Sequence, residues 1–146
     1  MIVGVEGQSY AGKTTLINKL RERIAVRILP ELIDYCGGPE MFPPAATNEK
    51  EAIKNDKWFL EKEKERLTSV NNEKETITLA DRWFVSGLAY AYARDHITGY
   101  QTFQKHYEDI HEALENHDLY LPSLIYMRVP GTEIVLRQSQ IQRSFT

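Results

Sequence analysis

Two hydrophobic patterns alternate along the chain. Short, nearly unbroken apolar runs stand at 2–6, 26–29, 76–80 and 124–129, as expected for buried strands of a parallel sheet. Between them, apolar positions recur every three or four residues, as on one face of a helix. Leu16, Ile17, Leu20 and Ile24 mark such a face on a helix predicted over 14–25. Ile53, Leu60 and Leu67, spaced by seven, mark a second over 48–70. Its many Lys and Glu residues read as a mostly solvated face, and Asn48 with Glu51 resembles a capping arrangement at its start. A third helix is predicted over 86–96, with a break at Gly99, and a fourth carries Phe103, Tyr107, Ile110 and Leu114 as its stripe. Thr132 can cap a last helix over 133–142. Gly37-Gly38-Pro39 and Pro43-Pro44 punctuate a loop.

The order β-α-β-α-β-α-α-β-α predicts an α/β fold, a parallel sheet covered by helices through right-handed crossovers. Ligands of such sheets bind beyond the carboxyl ends of the strands. Gly7, Glu31 and Asp81 stand at or just after strand ends and are expected to converge on one cleft.

The first strand and first helix enclose Gly7-Gln8-Ser9-Tyr10-Ala11-Gly12-Lys13-Thr14-Thr15, which fits G-x-x-x-x-G-K-[ST], the P-loop. Strand, glycine-bounded loop and helix are the context in which this pattern binds phosphate. Backbone N–H groups of the loop cradle phosphate oxygens, and the helix N-terminus adds partial positive charge. Lys13 is placed to reach the β- and γ-phosphates, and the Thr14 hydroxyl to ligate Mg²⁺. A nucleoside triphosphate, ATP with Mg²⁺, is the expected cofactor.

Composition narrows the partners. The chain has 146 residues, 42% hydrophobic and 27% charged, and a net charge of −3. That suits one globular domain over 1–146 and carries no basic footprint for polymeric nucleic acid. Cys36 is the single cysteine and reads as a thiol in a reducing compartment. With no secretory leader at the start and no run of membrane-spanning length, a soluble cytoplasmic protein without a membrane partner is expected.

Several side chains could carry chemistry. Asp81 can hold Mg²⁺, directly or through water, or accept a bond from the acceptor. Arg82 beside it can clamp phosphate bidentately. Glu31 could take the proton of an attacking hydroxyl, with Asp34 as its rival. Arg137 and Arg143 are candidates for mobile arginines that close over the transferred group. Trp58, Phe59, Trp83, Tyr90 and Tyr92 are candidates for stacking on a base, of which one or two are expected to touch ligand. His106, His111 and His117 do not share a helix face and read as surface residues rather than a metal site.

Asp81-Arg82-Trp83-Phe84-Val85-Ser86-Gly87-Leu88-Ala89-Tyr90 resembles the D-R-[YH]-x-x-S-x-x-A-[YF] signature of thymidylate kinases. The segment from Leu121 to Pro130 resembles that family's P-D-L-x-I-Y-L-x-V strand, and Glu133 to Arg137 the helix leading into its arginine-bearing lid. Ile28-Leu29-Pro30-Glu31 is closer to the related deoxynucleoside kinases, whose glutamate after strand two acts as base toward the sugar 5′-hydroxyl. The resemblance implies a three-layer P-loop NTPase fold. It implies that Lys13 and Thr14 hold donor phosphates and metal, that Asp81 lies near the metal or acceptor, and that Arg82 grips the acceptor phosphate or transferred group. Phe59, Ser86 and Tyr90 would then line the acceptor pocket, Glu31 would be base toward a hydroxyl, and Arg137 and Arg143 would serve a lid over 133–146. Three departures stand out. Tyr10 occupies a loop position where these kinases commonly have glycine. Glu63 stands four residues after Phe59 where thymidylate kinases have arginine, with Arg66 displaced. The chain stops where the family continues into a fifth strand, an adenine-contacting loop and a closing helix, so a C-terminally shortened version with about four strands is expected. Its strand at 124–129 would then lie at a sheet edge that invites a homodimer.

The resulting expectation is an ATP-dependent kinase, transferring the γ-phosphoryl to a nucleoside monophosphate of thymidylate type or to a nucleoside. Two alternatives remain open at this level: a P-loop ATP hydrolase or switch, and a non-catalytic nucleotide-binding module.

Overall fold

A computed structural model describes residues 1–70 and 76–128. The elements run β1 (Ile2–Gly7), α1 (Lys13–Arg21), β2 (Val26–Leu29), α2 (Leu32–Tyr35), a single 3-10 turn (Pro39–Met41), α3 (Glu49–Thr68), β3 (Ile77–Asp81), α4 (Val85–Thr98), α5 (Phe103–Glu115) and β4 (Leu124–Arg128). The four strands form one parallel sheet in the order β2-β3-β1-β4. The expected α/β class is therefore observed, and every expected strand within the described residues forms. The helix expected over 133–142 and the lid with Arg137 and Arg143 lie outside the described residues.

Two apolar clusters cover the two faces of the sheet. Val5 and Leu79 bury against Ile17 of α1. Leu29 and Ala80 belong to a larger cluster with Leu60 and Leu67 of α3, Phe84, and Ile110 and Ala113 of α5. Neighbouring positions Leu79 and Ala80 serve opposite clusters because side chains alternate across a strand. The result is three layers, helix α1, sheet, and helices α3–α5. The chain reverses its direction of travel around β1: β2 and β3 lie to one side and β4 to the other. That switch point opens a crevice at the carboxyl end of β1.

Helix α3 begins as its sequence indicates. Asn48 accepts from the Glu51 N–H at 2.9 Å, and the Glu51 carboxylate reaches back to the N–H and hydroxyl of Thr47. Three expectations are corrected. Helix α1 stops at Arg21, where the chain turns through N–H groups of Arg23 and Ile24 onto Leu20, so Ile24 is exposed rather than part of the apolar face. On α5 the buried stripe is His106, Ile110 and Ala113, while Tyr107 is exposed; the register is rotated from the one read off the large apolar residues. On α3 the charged face is not all solvated, since Asp56, Glu63 and Arg66 are buried.

Strand β4 pairs with β1 from Val3↔Leu124 to Gly7↔Arg128 and forms one edge of the sheet among the described residues. No helix of the described residues is long and apolar enough to cross a membrane.

Candidate active site

The loop after β1 closes on itself. Gly7 has φ 142° and Gly12 φ 83°, conformations that cost a side-chain-bearing residue dearly. Tyr10, in the position where glycine was the expected residue, takes φ 64° and leaves its ring exposed. Ala11 is fully buried, and its N–H donates to the Gln8 carbonyl at 3.1 Å. Helix α1 starts immediately at Lys13, so the free N–H groups of its first turn face the loop. The Lys13 ammonium is folded over the loop and donates to the Gln8 carbonyl at 2.9 Å. Burial, and then the Arg82 guanidinium, push its pKa below the usual lysine value against the pull of Asp81, Glu31 and Glu6. A cation so placed gains from an arriving anion.

Thr14 donates its hydroxyl to Asp81 Oδ2 at 2.6 Å. The other oxygen, Oδ1, is buried and has no partner among the described residues. A hydroxyl paired with a carboxylate that keeps an unspent oxygen fits Mg²⁺, which needs few protein ligands when phosphates and waters complete its shell. Among the described residues no group of three or more His, Cys, Asp or Glu could hold a metal.

Arg82 sits in the left-handed region, φ 64°. Its guanidinium touches three parts of the site. Nε pairs with Glu31 Oε1 at 2.5 Å, one terminal nitrogen donates to Ser86 Oγ at 3.3 Å, and the other donates to Ser9 Oγ of the loop at 3.2 Å. Two residues to which the sequence assigned no role hold this arrangement. Glu6, buried near the end of β1, accepts from the Trp83 N–H at 2.6 Å and from the Ser86 hydroxyl at 2.7 Å. Arg66, with no exposed surface, donates to the carbonyls of Pro30 (2.7 Å), Asp81 (3.3 Å) and Arg82 (2.8 Å), and to Glu63 at 2.9 Å. It ties the ends of β2 and β3 together under Arg82. A charged residue in the otherwise apolar run at 2–6 was the available signal for Glu6. For Arg66 no local signal existed, because its carbonyl partners lie far away in sequence.

Two cavities meet at this arginine. One, of about 500 Å³, lies against the loop and is lined by Gly7, Gln8, Ser9, Glu6, Ser86 and Tyr90 among others. The second, of about 420 Å³, extends between α2, α3, α4 and α5. Arg82, Ser86 and Tyr90 line both. The second is walled by Phe42 and Phe59, whose rings pack edge to face at 5.0 Å, and carries Glu31, Asp56, Glu63, Arg94 and His106. Burial pushes the Glu63 carboxyl above its ordinary pKa, although Arg66 opposes the shift. Asp56 and Arg94 form a two-pronged ion pair at 3.0 and 2.5 Å.

The structure thus brings together Lys13, Thr14, Asp81, Arg82, Glu31, Ser86, Tyr90 and Phe59. Asp34, the rival of Glu31, is exposed on α2 and lines neither cavity. Of the aromatic candidates, Phe59 and Tyr90 line the second cavity, Trp83 is a core residue that also touches it, and Tyr92 packs on His96 and Phe103 outside it. The reading of His106 as a surface residue is corrected: it is 5% exposed and lines the second cavity. His111 is exposed.

No protein-family model and no curated protein sequence matches the chain. Among solved structures, the deoxyadenosine kinase from M.mycoides, determined with the products dCMP and a flexible dCDP bound, is similar to it in fold. The TM-score is 0.63 at 14% identity, over 97% of this chain and 70% of that one. The two chains share the fold, a parallel sheet flanked by helices.

Proposed function

We propose that the protein is a phosphotransferase that moves the γ-phosphoryl of ATP to a hydroxyl of a nucleoside. The observation that carries the reading is Arg82, which stands between the glycine-bounded loop after β1 and a separate, aromatic-walled cavity and touches Ser9 on one side and Glu31 on the other. A hydrolase needs room for water alone; a cavity of about 420 Å³, which shares Arg82, Ser86 and Tyr90 with the cavity against the loop, has room for a ring system.

Charge favours a neutral acceptor over a nucleoside monophosphate. Both arginines that line the second cavity already face carboxylates, Arg82 with Glu31 and Arg94 with Asp56. Glu63 adds a further acid, and its partner Arg66 is spent on backbone carbonyls. A phosphate monoester would meet that acidic lining and compete with the transferred phosphoryl group for Arg82, since Asp56 already holds Arg94. The name of the structurally similar deoxyadenosine kinase points the same way. Thymidylate, which needs a cation for its phosphate, is the less suited acceptor.

In this reading the loop amides and Lys13 hold the β- and γ-phosphates. Mg²⁺, held by Thr14 and Asp81, would supply charge neutralisation at the phosphates. Glu31 orients the acceptor hydroxyl and takes its proton as the new O–P bond forms and the bond to the ADP oxygen breaks. Arg82 neutralises charge on the moving phosphoryl group. The protein's contribution is positioning and electrostatics. The reading is tested by incubating the protein with ATP, Mg²⁺ and a panel of nucleosides and nucleoside monophosphates. Phosphorylated nucleosides are expected, with little product from monophosphates. Lys13→Ala should lower transfer by at least about a hundredfold while circular dichroism stays unchanged. ATP hydrolysis that ignores every acceptor would overturn the proposal.

A further inference from the structure

We propose that His106 selects the acceptor, donating a hydrogen bond from its imidazole Nε2–H to an acceptor atom on the edge of a planar ring bound in the second cavity. The inference rests on the reading of that cavity as the acceptor site, and it adds a specificity residue to it.

The polar groups nearest His106 are spent on one another. Asp56 receives Arg94 on both carboxylate oxygens. Arg94 also donates to the Thr102 hydroxyl, which Asp95 holds in turn. This network fixes the joint between α4 and α5. His106, one turn into α5, keeps hydrogen-bonding capacity in hand: its Nδ1 is buried with no partner among the described residues. A buried N–H without an acceptor is the rarer and costlier defect than an unmet lone pair. The proton therefore belongs on Nε2, and the ring is a donor at that corner. Burial also holds the imidazole in its neutral form, against Asp56 and Asp109 and with Arg94.

Gly87 shows that room has been left for this ring. A Cβ at position 87 would come within 3.3 Å of Nε2, tighter than ordinary packing, so glycine lets the imidazole lie directly on helix α4. Both residues line the cavity, and Phe42 and Phe59 supply the apolar walls that a flat heterocycle requires. A ring nitrogen or carbonyl oxygen of a nucleobase matches a single donor in a cavity with such aromatic lining. A pocket built to hydrogen-bond its ligand rejects analogues that lack the partner atom far more strongly than an apolar pocket does.

The test measures binding, so it does not depend on turnover. Nucleosides are titrated into the wild-type protein by calorimetry, and the imidazole nitrogens of His106 are followed by ¹⁵N NMR. The expected result is a shift of the Nε2 resonance on binding. His106→Phe should weaken that nucleoside by about tenfold or more, His106→Gln, which keeps a donor, should recover most of the affinity, and Gly87→Ala should weaken it as well. A non-hydrolysable ATP analogue, titrated into the same samples, reports that the loop is folded. Unaltered nucleoside affinity in His106→Phe, or an unshifted Nε2 resonance at saturation, overturns the role of His106 and leaves the kinase reading standing. If the wild-type protein binds the ATP analogue but no nucleoside, both fall together.

Discussion

Arg66 shows how much one side chain can decide. It has no exposed surface and fastens the carbonyls behind Glu31 and Arg82 while pairing with Glu63. Removing one member of a buried ion pair strands the other, at a cost of about 3–5 kcal/mol. Arg66→Met should therefore lose stability of that order in urea denaturation, and Glu63→Gln in the same chain should restore part of it. His106 adds a pH dependence. Its folded pKa lies below the ordinary 6.5, chiefly through burial. The unfolded chain then binds more protons between the folded value and 6.5, so this contribution is complete above 6.5 and lost as pH falls through the folded value. Stability measured from pH 8 downward should decline below about 6.5, and His106→Phe should flatten that decline. Lys13, Thr14, Asp81 and Arg82 were legible in the sequence because a motif binds each to its neighbours in the chain. Glu6, Arg66 and His106 were not, because their partners arrive from other elements.

At the scale of elements, α3 was read from its large apolar residues, and its buried face includes charge. Ala52, Asp56, Leu60, Glu63 and Leu67 follow one helical stripe, so two acids sit where a core residue would be expected. That break in pattern is a sequence signal for a polar cavity, and it becomes readable once the register is known. Helix α5 is capped from outside itself. Thr102, its own N-cap, makes no side-chain capping bond, and Asp95 of α4 accepts from the N–H groups of Thr102 and Phe103, each at 2.7 Å. Asp95→Ala should cost about 1 kcal/mol and, read by hydrogen exchange, loosen the first turn of α5 beneath His106 more than the sheet.

For the whole molecule, the sheet order places the loop at the switch between β3 and β4, with the second cavity on the α3–α5 side. Such a site couples ligand binding to global stability. A Mg²⁺–ATP analogue at a hundred times its Kd should add about 2.7 kcal/mol, a rise in Tm of roughly 5–10 °C for a domain of this size. Differential scanning fluorimetry would detect it, and Lys13→Ala should abolish it. Pairing of two copies through β4 was an expectation from its edge position. Sedimentation across a concentration series tests it, and association should weaken when Tyr126, exposed on that strand, is replaced by Lys.

The amino-acid sequence by itself determined the strand–loop–helix with its G-x-x-x-x-G-K-[ST] pattern, the alternation of strands and helices, and the residues flanking Asp81. Each of these is a local matter of spacing, backbone freedom and periodicity. The tertiary structure alone decided that β3 lies between β1 and β2, that Arg82 joins two cavities, and that a histidine read as surface lines the second. Those outcomes depend on which distant segments share a buried space, where an unpaired polar group is costly and each charge must find its partner across the fold.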